Sequence, residues 1–294
     1  MNTIHTLRPD MTDTTAPVEK PAPRRRRWKA VLMGLTLLPA LAWALACLAV
    51  WLGQERLLFK PVVTPASQPL STAPDVSERF VDVPGARLSV LELRRPDPAG
   101  VVFFLHGNSG NLQEWFVNTE VYRRTNMDLV MMDYRGYGKS SGHIGSEAQL
   151  HADVQAVWQS VAERYRGRRV VVYGRSLGSA LAATLAAQLQ PDLTVLVSPY
   201  SSMAALARLH YPWVPASLLR YPLRTDEAVA RLRTPLLLVH GERDVLIPPS
   251  HSLALQALAP SARHVDIAGA GHGDVHEFDD YRRLMAQALD GRVR

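Results

Sequence analysis

Cysteine is almost absent from this chain, which holds a single one, Cys47, among 294 residues. An internal disulfide is therefore impossible. The folded part also lacks the residues for a four-cysteine zinc site or for a cysteine nucleophile. Cys47 itself stands in an apolar run, where a small buried hydrophobic residue is expected.

Motifs for nucleotides and metals are missing as well. Neither the phosphate-binding pattern G-x-x-x-x-G-K-[ST] nor the dinucleotide pattern G-x-G-x-x-G occurs, and there is no H-E-x-x-H pair of zinc-binding histidines. We therefore expect a protein that works without a cofactor and without a metal ion.

Positive charge is scarce outside the N-terminus. Residues 1–29 contain seven basic and three acidic residues, a net charge of +4, which leaves only +2 of the total +6 for the rest of the chain. A nucleic-acid-binding domain would carry such an excess on a folded face, so we expect no nucleic-acid partner. We interpret residues 1–29 as a disordered basic tail.

Residues 30–53 contain no charged side chain at all. A helix of this length rises about 36 Å, enough to cross the hydrocarbon core of a bilayer. Four consecutive arginines, 24–27, precede it. Because basic residues next to a span stay in the cytoplasm, we predict a single-pass membrane protein. Its N-terminus would be cytoplasmic and its catalytic part would lie on the far side.

The alternative for the same segment is a cleaved signal peptide, since Ala44-Leu45-Ala46 fits a cleavage site. The apolar run continues past that site, whereas the apolar core of a signal peptide usually has about 7–15 residues. This favours a retained anchor, and both interpretations give the same topology.

The rest of the chain alternates between strand-like and helix-like stretches. We interpret residues 54–76 as a connector. Residues 77–294 are predicted to form a catalytic domain. Short runs rich in Val and Leu are typical of strands buried on both faces of a parallel sheet. We therefore predict an α/β fold with a mostly parallel eight-stranded sheet and helices on both faces. The predicted strands are 79–83, 87–93, 101–105, 129–133, 170–173, 193–197, 236–239 and 264–267, and the predicted helices about 111–124, 147–165, 177–190, 250–259 and 275–289.

The motif Gly174-Arg175-Ser176-Leu177-Gly178 matches G-x-S-x-G and stands between a predicted strand and a predicted helix. In this context the serine occupies a sharp turn that exposes its hydroxyl at the edge of the sheet. The motif predicts Ser176 as a nucleophile. The alternative is a structural serine in a tight turn.

A serine hydroxyl needs an adjacent base, and in this arrangement an acid and then a histidine follow the serine along the chain. Asp244 and His272 come directly after the last two predicted strands, at the edge that carries Ser176. We therefore predict a triad of Ser176, Asp244 and His272. Glu242 and Asp226 are the rival acids, and we prefer Asp244.

An oxyanion requires preorganised N–H donors. We predict the N–H groups of Leu177, directly after the nucleophile, and Asn108, in the loop after the third predicted strand. Ser109 is the alternative in that loop.

Aromatic residues are concentrated between the sixth and seventh predicted strands, in 200–226. A short cap there would give an apolar acyl pocket above the serine, with Tyr200, Tyr211 and Trp213 as its candidate lining. The alternative is a helical connection that packs on the sheet.

These motifs, taken together, resemble the membrane-anchored α/β-hydrolase-domain serine hydrolase family over about residues 50–290. The resemblance implies the α/β-hydrolase fold, a Ser–Asp–His triad and no cofactor, and members are described as lipases, monoacylglycerol or lysophospholipid hydrolases, and protein-acyl thioesterases. The motifs that carry it are QERLLFKP at 54–61, HGNSGN at 106–111, DYRGYGKS at 133–140, GRSLG at 174–178, HGERD at 240–244 and GHGD at 271–274.

The expected activity is two-step acyl transfer from an ester or thioester, on a small-molecule or lipid acyl substrate. One alternative is a catalytically silent member that binds a lipid or a protein, although such a module has no need of all three triad residues. A second alternative is a peptidase, which usually has a further gating domain for which this chain leaves no room.

Overall fold

A computed structural model of the protein describes residues 24–292. The predicted disordered tail therefore lies, up to residue 23, outside the described residues. The chain divides into two compact units, Met1–Leu48 and Ala49–Arg294.

The first helix, α1 (Arg24–Leu52), covers almost the whole charge-free run. Its stretch Met33–Leu52 has a mean hydropathy of 2.1 and is long and apolar enough to cross a membrane, a test that a signal sequence also passes. The basic residues 24–29, expected to be disordered, belong to this helix. Arginine and lysine are good helix formers, so they extend the helix that follows them.

The second unit contains the remaining helices and all strands of the described structure. The helices are α2 (Gln54–Leu58), α3 (Leu112–Trp115), α4 (Glu120–Arg124), α5 (Glu147–Ala162), α6 (Leu177–Leu189), α7 (Met203–His210), α8 (Thr225–Val229), α9 (Ser250–Leu258) and α10 (Asp279–Leu289). The strands are β1 (Lys60–Pro61), β2 (Val76–Val83), β3 (Ala86–Leu93), β4 (Gly100–Leu105), β5 (Ser109–Gly110), β6 (Met127–Met132), β7 (Arg169–Arg175), β8 (Leu193–Val197), β9 (Leu236–Gly241) and β10 (Arg263–Ile267).

The main sheet has eight strands in the order β10-β9-β8-β7-β4-β6-β3-β2. The strands from β6 to β10 in this order run parallel, and β3 and β2 are antiparallel to their neighbours. The prediction of a mostly parallel eight-stranded α/β-hydrolase sheet is confirmed. Strands β4, β6, β8 and β9 are buried along their whole length, as their apolar runs predicted.

Helices cover both faces of this sheet. One buried cluster contains side chains of α5, α6, α8 and α9, and the other contains side chains of α4 and α10. Because β4, β7, β9 and β10 are parallel, the loops that follow them meet at one edge of the sheet, where such folds bind ligands.

The structure differs from the predicted helix at 111–124. Two short helices, α3 and α4, replace it, and Asn118 between them has a φ of 55°. Asparagine tolerates this left-handed conformation, which interrupts a right-handed helix.

The predicted connector, 54–76, has more structure than its composition indicated. It contains α2 and β1, and β1 pairs in parallel with β5 in a separate two-stranded sheet. Contacts group it with the second unit, which starts at Ala49.

Helix α6 packs unusually close to β4. A Cβ added at Gly178 would lie 2.0 Å from the carbonyl oxygen of Leu105, and one added at Gly174 would lie 2.4 Å from the carbonyl oxygen of Gly178. Both contacts are with backbone atoms, which cannot swing aside. The two glycines therefore allow α6 to start directly behind the sheet edge.

We expect Gly178→Ala to lower the free energy of unfolding by about 2 kcal/mol or more, because the new methyl group forces α6 away from β4. Gly145→Ala is the matched control, since its Cβ would make only an ordinary 3.7 Å contact with Gln149. Urea unfolding of the detergent-purified variants measures both. Equal stability of the two variants would contradict this packing.

Candidate active site

Ser176 occupies the turn between β7 and α6. Its φ of 52° and ψ of −120° are unfavourable for a residue with a Cβ. The turn is held by hydrogen bonds from the Ser176 N–H to the carbonyl of Val197, 3.0 Å, and from the Ser179 N–H to the carbonyl of Ser176, 2.9 Å. It directs the hydroxyl towards the loops at the sheet edge, where two cavities reach Ser176.

His272 bridges the serine and a carboxylate. Its Nε2 lies 3.0 Å from the Ser176 Oγ, and its Nδ1 lies 2.7 Å from the Asp244 Oδ2. These distances suit transfer of a proton from the hydroxyl to the imidazole while the carboxylate holds the other ring nitrogen. The structure thus brings together the three residues predicted as a triad.

Asp244 is fully buried at the end of β9. Its Oδ1 accepts the N–H groups of Leu246, 3.1 Å, and Ile247, 2.8 Å. Burial alone would raise the pKa of Asp244, but hydrogen bonds from His240, His272 and the Ile247 N–H outweigh it and hold the pKa well below its usual range. The side chain is therefore a carboxylate at working pH, as an orienting group for His272 requires.

The rival acids lie elsewhere. The Glu242 carboxylate accepts the N–H of Gly269 at 3.0 Å, and Asp226 pairs with Arg224 at 2.8 Å. Neither contacts the His272 ring in the described structure.

Two further histidines at strand ends, His106 and His240, are fully buried and bind neighbouring groups. The His240 Nε2 lies 2.6 Å from the carbonyl of Ile247, and its Nδ1 lies 2.6 Å from the Ser252 hydroxyl. His240 thereby supports the turn that carries Asp244.

The predicted oxyanion donors flank the nucleophile. Leu177 is the first residue of α6, so its N–H has no partner within the helix. The loop 106–108 passes close to the serine, since a Cβ added at Gly107 would lie 3.6 Å from the Ser176 Cβ. Within residues 24–292 the Asn108 N–H donates to no protein acceptor. Ser109, the alternative donor, lies in β5.

An apolar cavity of about 480 Å³ extends from Ser176 beneath α7. Tyr200 and Tyr211, two of the three residues predicted for the acyl pocket, line it. Trp213 is not among the lining residues and is 44% exposed. The segment 200–226 contributes α7 as a wall of the cavity, an arrangement closer to the predicted cap than to a helical connection packed on the sheet.

A second cavity of about 420 Å³ reaches Ser176 and His272 from another direction. Its lining combines aromatic and charged side chains, among them Trp115, Tyr173, Arg175 and His276. Two separate spaces thus meet at the serine hydroxyl. Among residues 24–292 no cluster of three or more His, Cys, Asp or Glu side chains has a metal-binding arrangement.

Arg175, the residue before the nucleophile, has a role that sequence reasoning missed. It is 6% exposed, and its Nη2 donates to the carbonyls of His272 and Gly273, each at 2.9 Å. Its Nη1 lies 3.0 Å from the His276 Nδ1, and its guanidinium lies 5.2 Å from the Trp115 ring centre. Arg175 therefore ties the His272 loop to the turn that carries Ser176. The variable position of G-x-S-x-G gives no local signal for this long-range contact.

The chain is similar in sequence to several known proteins. A family model described as serine aminopeptidase, S33, matches residues 96–222. An uncharacterized protein of Mycobacterium tuberculosis is 32% identical over 251 residues, covering 82% of this chain and 87% of that protein. The alpha/beta hydrolase domain-containing protein 17B of Xenopus tropicalis is 30% identical over 210 residues, covering 69% and 71%. The chain therefore belongs to the α/β-hydrolase family and is a hydrolase.

Solved structures show the same fold. An esterase of Pyrococcus furiosus superposes with a TM-score of 0.63 at 16% identity, covering 80% of this chain and 97% of that one. At this identity the similarity concerns the fold alone.

We expect Arg175→Gln to lower kcat about tenfold, because the His272 loop loses two charge-assisted hydrogen bonds. Arg263→Gln, at an exposed position at the start of β10, is the control and should match the wild type. Steady-state kinetics on an activated ester measures both. An Arg175→Gln enzyme with unchanged kcat would show that the loop holds its position without this residue.

Proposed function

We propose that the protein is a serine hydrolase that cleaves carboxylic esters or thioesters through an acyl-enzyme on Ser176. The observation that carries the proposal is the continuous hydrogen-bonded chain from the Ser176 Oγ through His272 to the buried Asp244. A serine in a strained turn at the start of a helix, joined to a base and a carboxylate, is suited to nucleophilic attack on a carbonyl.

In the first step, the Ser176 Oγ attacks the carbonyl carbon while His272 Nε2 takes the hydroxyl proton. The Asp244 carboxylate stabilises the imidazolium that forms. The N–H groups of Leu177 and Asn108 donate to the oxyanion, an interaction that is strongest in the transition state. Collapse of this intermediate expels the alcohol or thiol, which receives the proton from His272.

In the second step, water attacks the acyl-enzyme. His272 Nε2 takes a proton from the water, the same two N–H groups hold the second oxyanion, and Ser176 leaves with the proton returned by His272. The carboxylic acid is released and the free serine is restored.

The two cavities at Ser176 support an acyl substrate. The cavity beneath α7 has an apolar lining from Met203, Leu206 and Val214 and suits the acyl chain. The second cavity, with Trp115 and Arg175, then receives the leaving group. The similarity in fold to an enzyme described as an esterase agrees with this assignment.

Peptide hydrolysis is the competing activity, because the matching family model is described as a serine aminopeptidase. A peptidase must hold a polar peptide backbone on the acyl side of the serine, and the apolar lining beneath α7 offers few partners for it. An aminoacyl anilide is therefore a necessary arm of the test.

We further propose that α1 anchors the protein in a membrane, with the arginines at 24–27 in the cytoplasm and the catalytic unit beyond the bilayer. The apolar stretch Met33–Leu52 supports the anchor. The cluster of positive charge before it supports the orientation.

Labelling with a fluorophosphonate tests the nucleophile, because this reagent reacts with activated serines. We expect the detergent-purified wild type to be labelled, Ser176→Ala to lose labelling completely, and His272→Ala to lose it almost completely. p-Nitrophenyl esters of increasing chain length, an acyl thioester and an aminoacyl p-nitroanilide then compare the bond classes. Failure of the wild type to react would contradict the serine hydrolase and favour a catalytically silent binding protein. Preference for the anilide over the esters would favour a peptidase.

Protease protection tests the topology. Protease added to osmotically stabilised spheroplasts should degrade the catalytic unit while a cytoplasmic marker protein survives. We also expect the mature protein to keep its full mass of 32.6 kDa, since the anchor is retained. Survival of the catalytic unit until the cells are lysed would refute the orientation, and a mass lower by the first 46 residues would identify a cleaved signal peptide.

A further inference from the structure

Residues 50–64, which include the last turn of the apolar helix α1 and the chain directly after it, contact the candidate active site at several points. We propose that this juxtamembrane segment is a working part of the site: its helix forms a wall of the acyl cavity, and its strand holds the oxyanion loop. The proposal rests on the proposed function, since it concerns the acyl cavity and the oxyanion of that reaction.

The first contact is with the cavity beneath α7. Val50, Gln54, Leu57 and Leu58 line it, across from the α7 side chains. Leu57 is 47% exposed although it is apolar. A large side chain at this position would occupy space that an acyl chain needs.

The second contact fixes α2 to the cap. The side chain of Gln54 is buried, its Nε2 donates to the carbonyl of Leu218 and its Oε1 accepts the N–H of Arg220, both at 2.8 Å. Glu55 accepts the hydroxyl of Tyr221 at 3.0 Å and pairs with the Arg220 guanidinium at 2.6 Å. The wall formed by α2 therefore has a defined position relative to the cap.

The third contact is with the oxyanion loop. The Lys60 N–H donates to the carbonyl of Asn108 at 2.8 Å, and the Asn108 Nδ2 donates to the carbonyl of Leu58 at 3.0 Å. The hydroxyl of Tyr137 donates to the same Asn108 carbonyl at 2.6 Å and accepts the Lys60 N–H at 3.1 Å. The Asn108 side chain is thus held by Leu58. Its carbonyl is held by the Lys60 N–H and by the Tyr137 hydroxyl, which also binds the Lys60 N–H.

This hold matters for catalysis because an oxyanion donor acts only when it is already aimed at the developing charge. The Asn108 N–H is free for the oxyanion, while the other polar groups of the residue are engaged by Leu58, Lys60 and Tyr137. We regard Lys60 and Tyr137 as positioning residues that act through Asn108.

Substitutions at Lys60 and Tyr137 in the full chain test the hold on the oxyanion loop. Lys60→Ala keeps the backbone N–H and is the reference for loss of the side chain. Lys60→Pro also removes the N–H and should lower kcat about tenfold relative to Lys60→Ala, with KM nearly equal in the two variants. Tyr137→Phe, which keeps the buried ring, should likewise lower kcat and leave KM nearly unchanged. Inhibition by an alkyl trifluoromethyl ketone, which forms an oxyanion on the serine, should weaken in parallel.

The control for Tyr137→Phe is Tyr165→Phe, which removes a buried hydroxyl bound to Asp128 at 2.8 Å, outside the residues that line the two cavities. A merely structural role would lower stability in both variants and leave kcat and ketone affinity unchanged. That result, or equal kinetics for Lys60→Pro and Lys60→Ala, would overturn the positioning role.

A second substitution tests the wall. Leu57→Trp should lower kcat/KM about tenfold for a palmitoyl ester in mixed micelles and leave the acetyl ester within about twofold. Leu253→Trp, at an exposed leucine of α9, should change neither value. An unchanged chain-length profile in Leu57→Trp would refute the wall. Each of these comparisons requires an active wild type. A wild type that hydrolyses none of the esters would therefore refute the proposed function itself, a result distinct from an unchanged chain-length profile.

Discussion

The site depends on one backbone constraint, the conformation of Ser176 with a φ of 52° between β7 and α6. A residue with a Cβ is unstable there unless its surroundings hold it. Gly174 and Gly178 supply the space, because a side chain at either would collide with backbone atoms. The buried sheet supplies the rigidity. If this turn relaxed, the hydroxyl would leave His272, and the start of α6 would leave the oxyanion.

Three contacts around this turn position the groups of the candidate site. Asp244 contributes a buried carboxylate, whose pKa is held well below its usual range by hydrogen bonds from His240, His272 and the Ile247 N–H. Arg175 joins the histidine loop to the nucleophile turn. Residues 50–64 reach the same centre through the hydrogen bond from the Asn108 side chain to the carbonyl of Leu58. Each contact limits the motion of a group that must meet the reacting carbonyl, and the two cavities leave room for the rest of the substrate.

Local patterns in the sequence predicted most of the residues that meet at the candidate site. Ser176, Asp244 and His272 follow parallel strands, whose carboxyl ends lie at one edge of the sheet. The contacts of Arg175 were missed, and Trp213 lies outside the lining of the cavity for which it was a candidate, because the direction of a side chain depends on distant partners. The connector was underestimated for a similar reason: β1 has only two residues, and its pairing with β5 depends on a loop 50 residues away. The break between α3 and α4 depends on the φ of a single asparagine.

The central claim is that Ser176 carries the acyl group between the two steps. Mixing the enzyme with a p-nitrophenyl ester, quenching in acid within the first turnover and analysing the peptides by mass spectrometry tests it directly. The account predicts a burst of one p-nitrophenolate per enzyme and an acyl mass on the peptide that contains Ser176. An acyl mass on another residue, or a burst of the same size from Ser176→Ala, would contradict it.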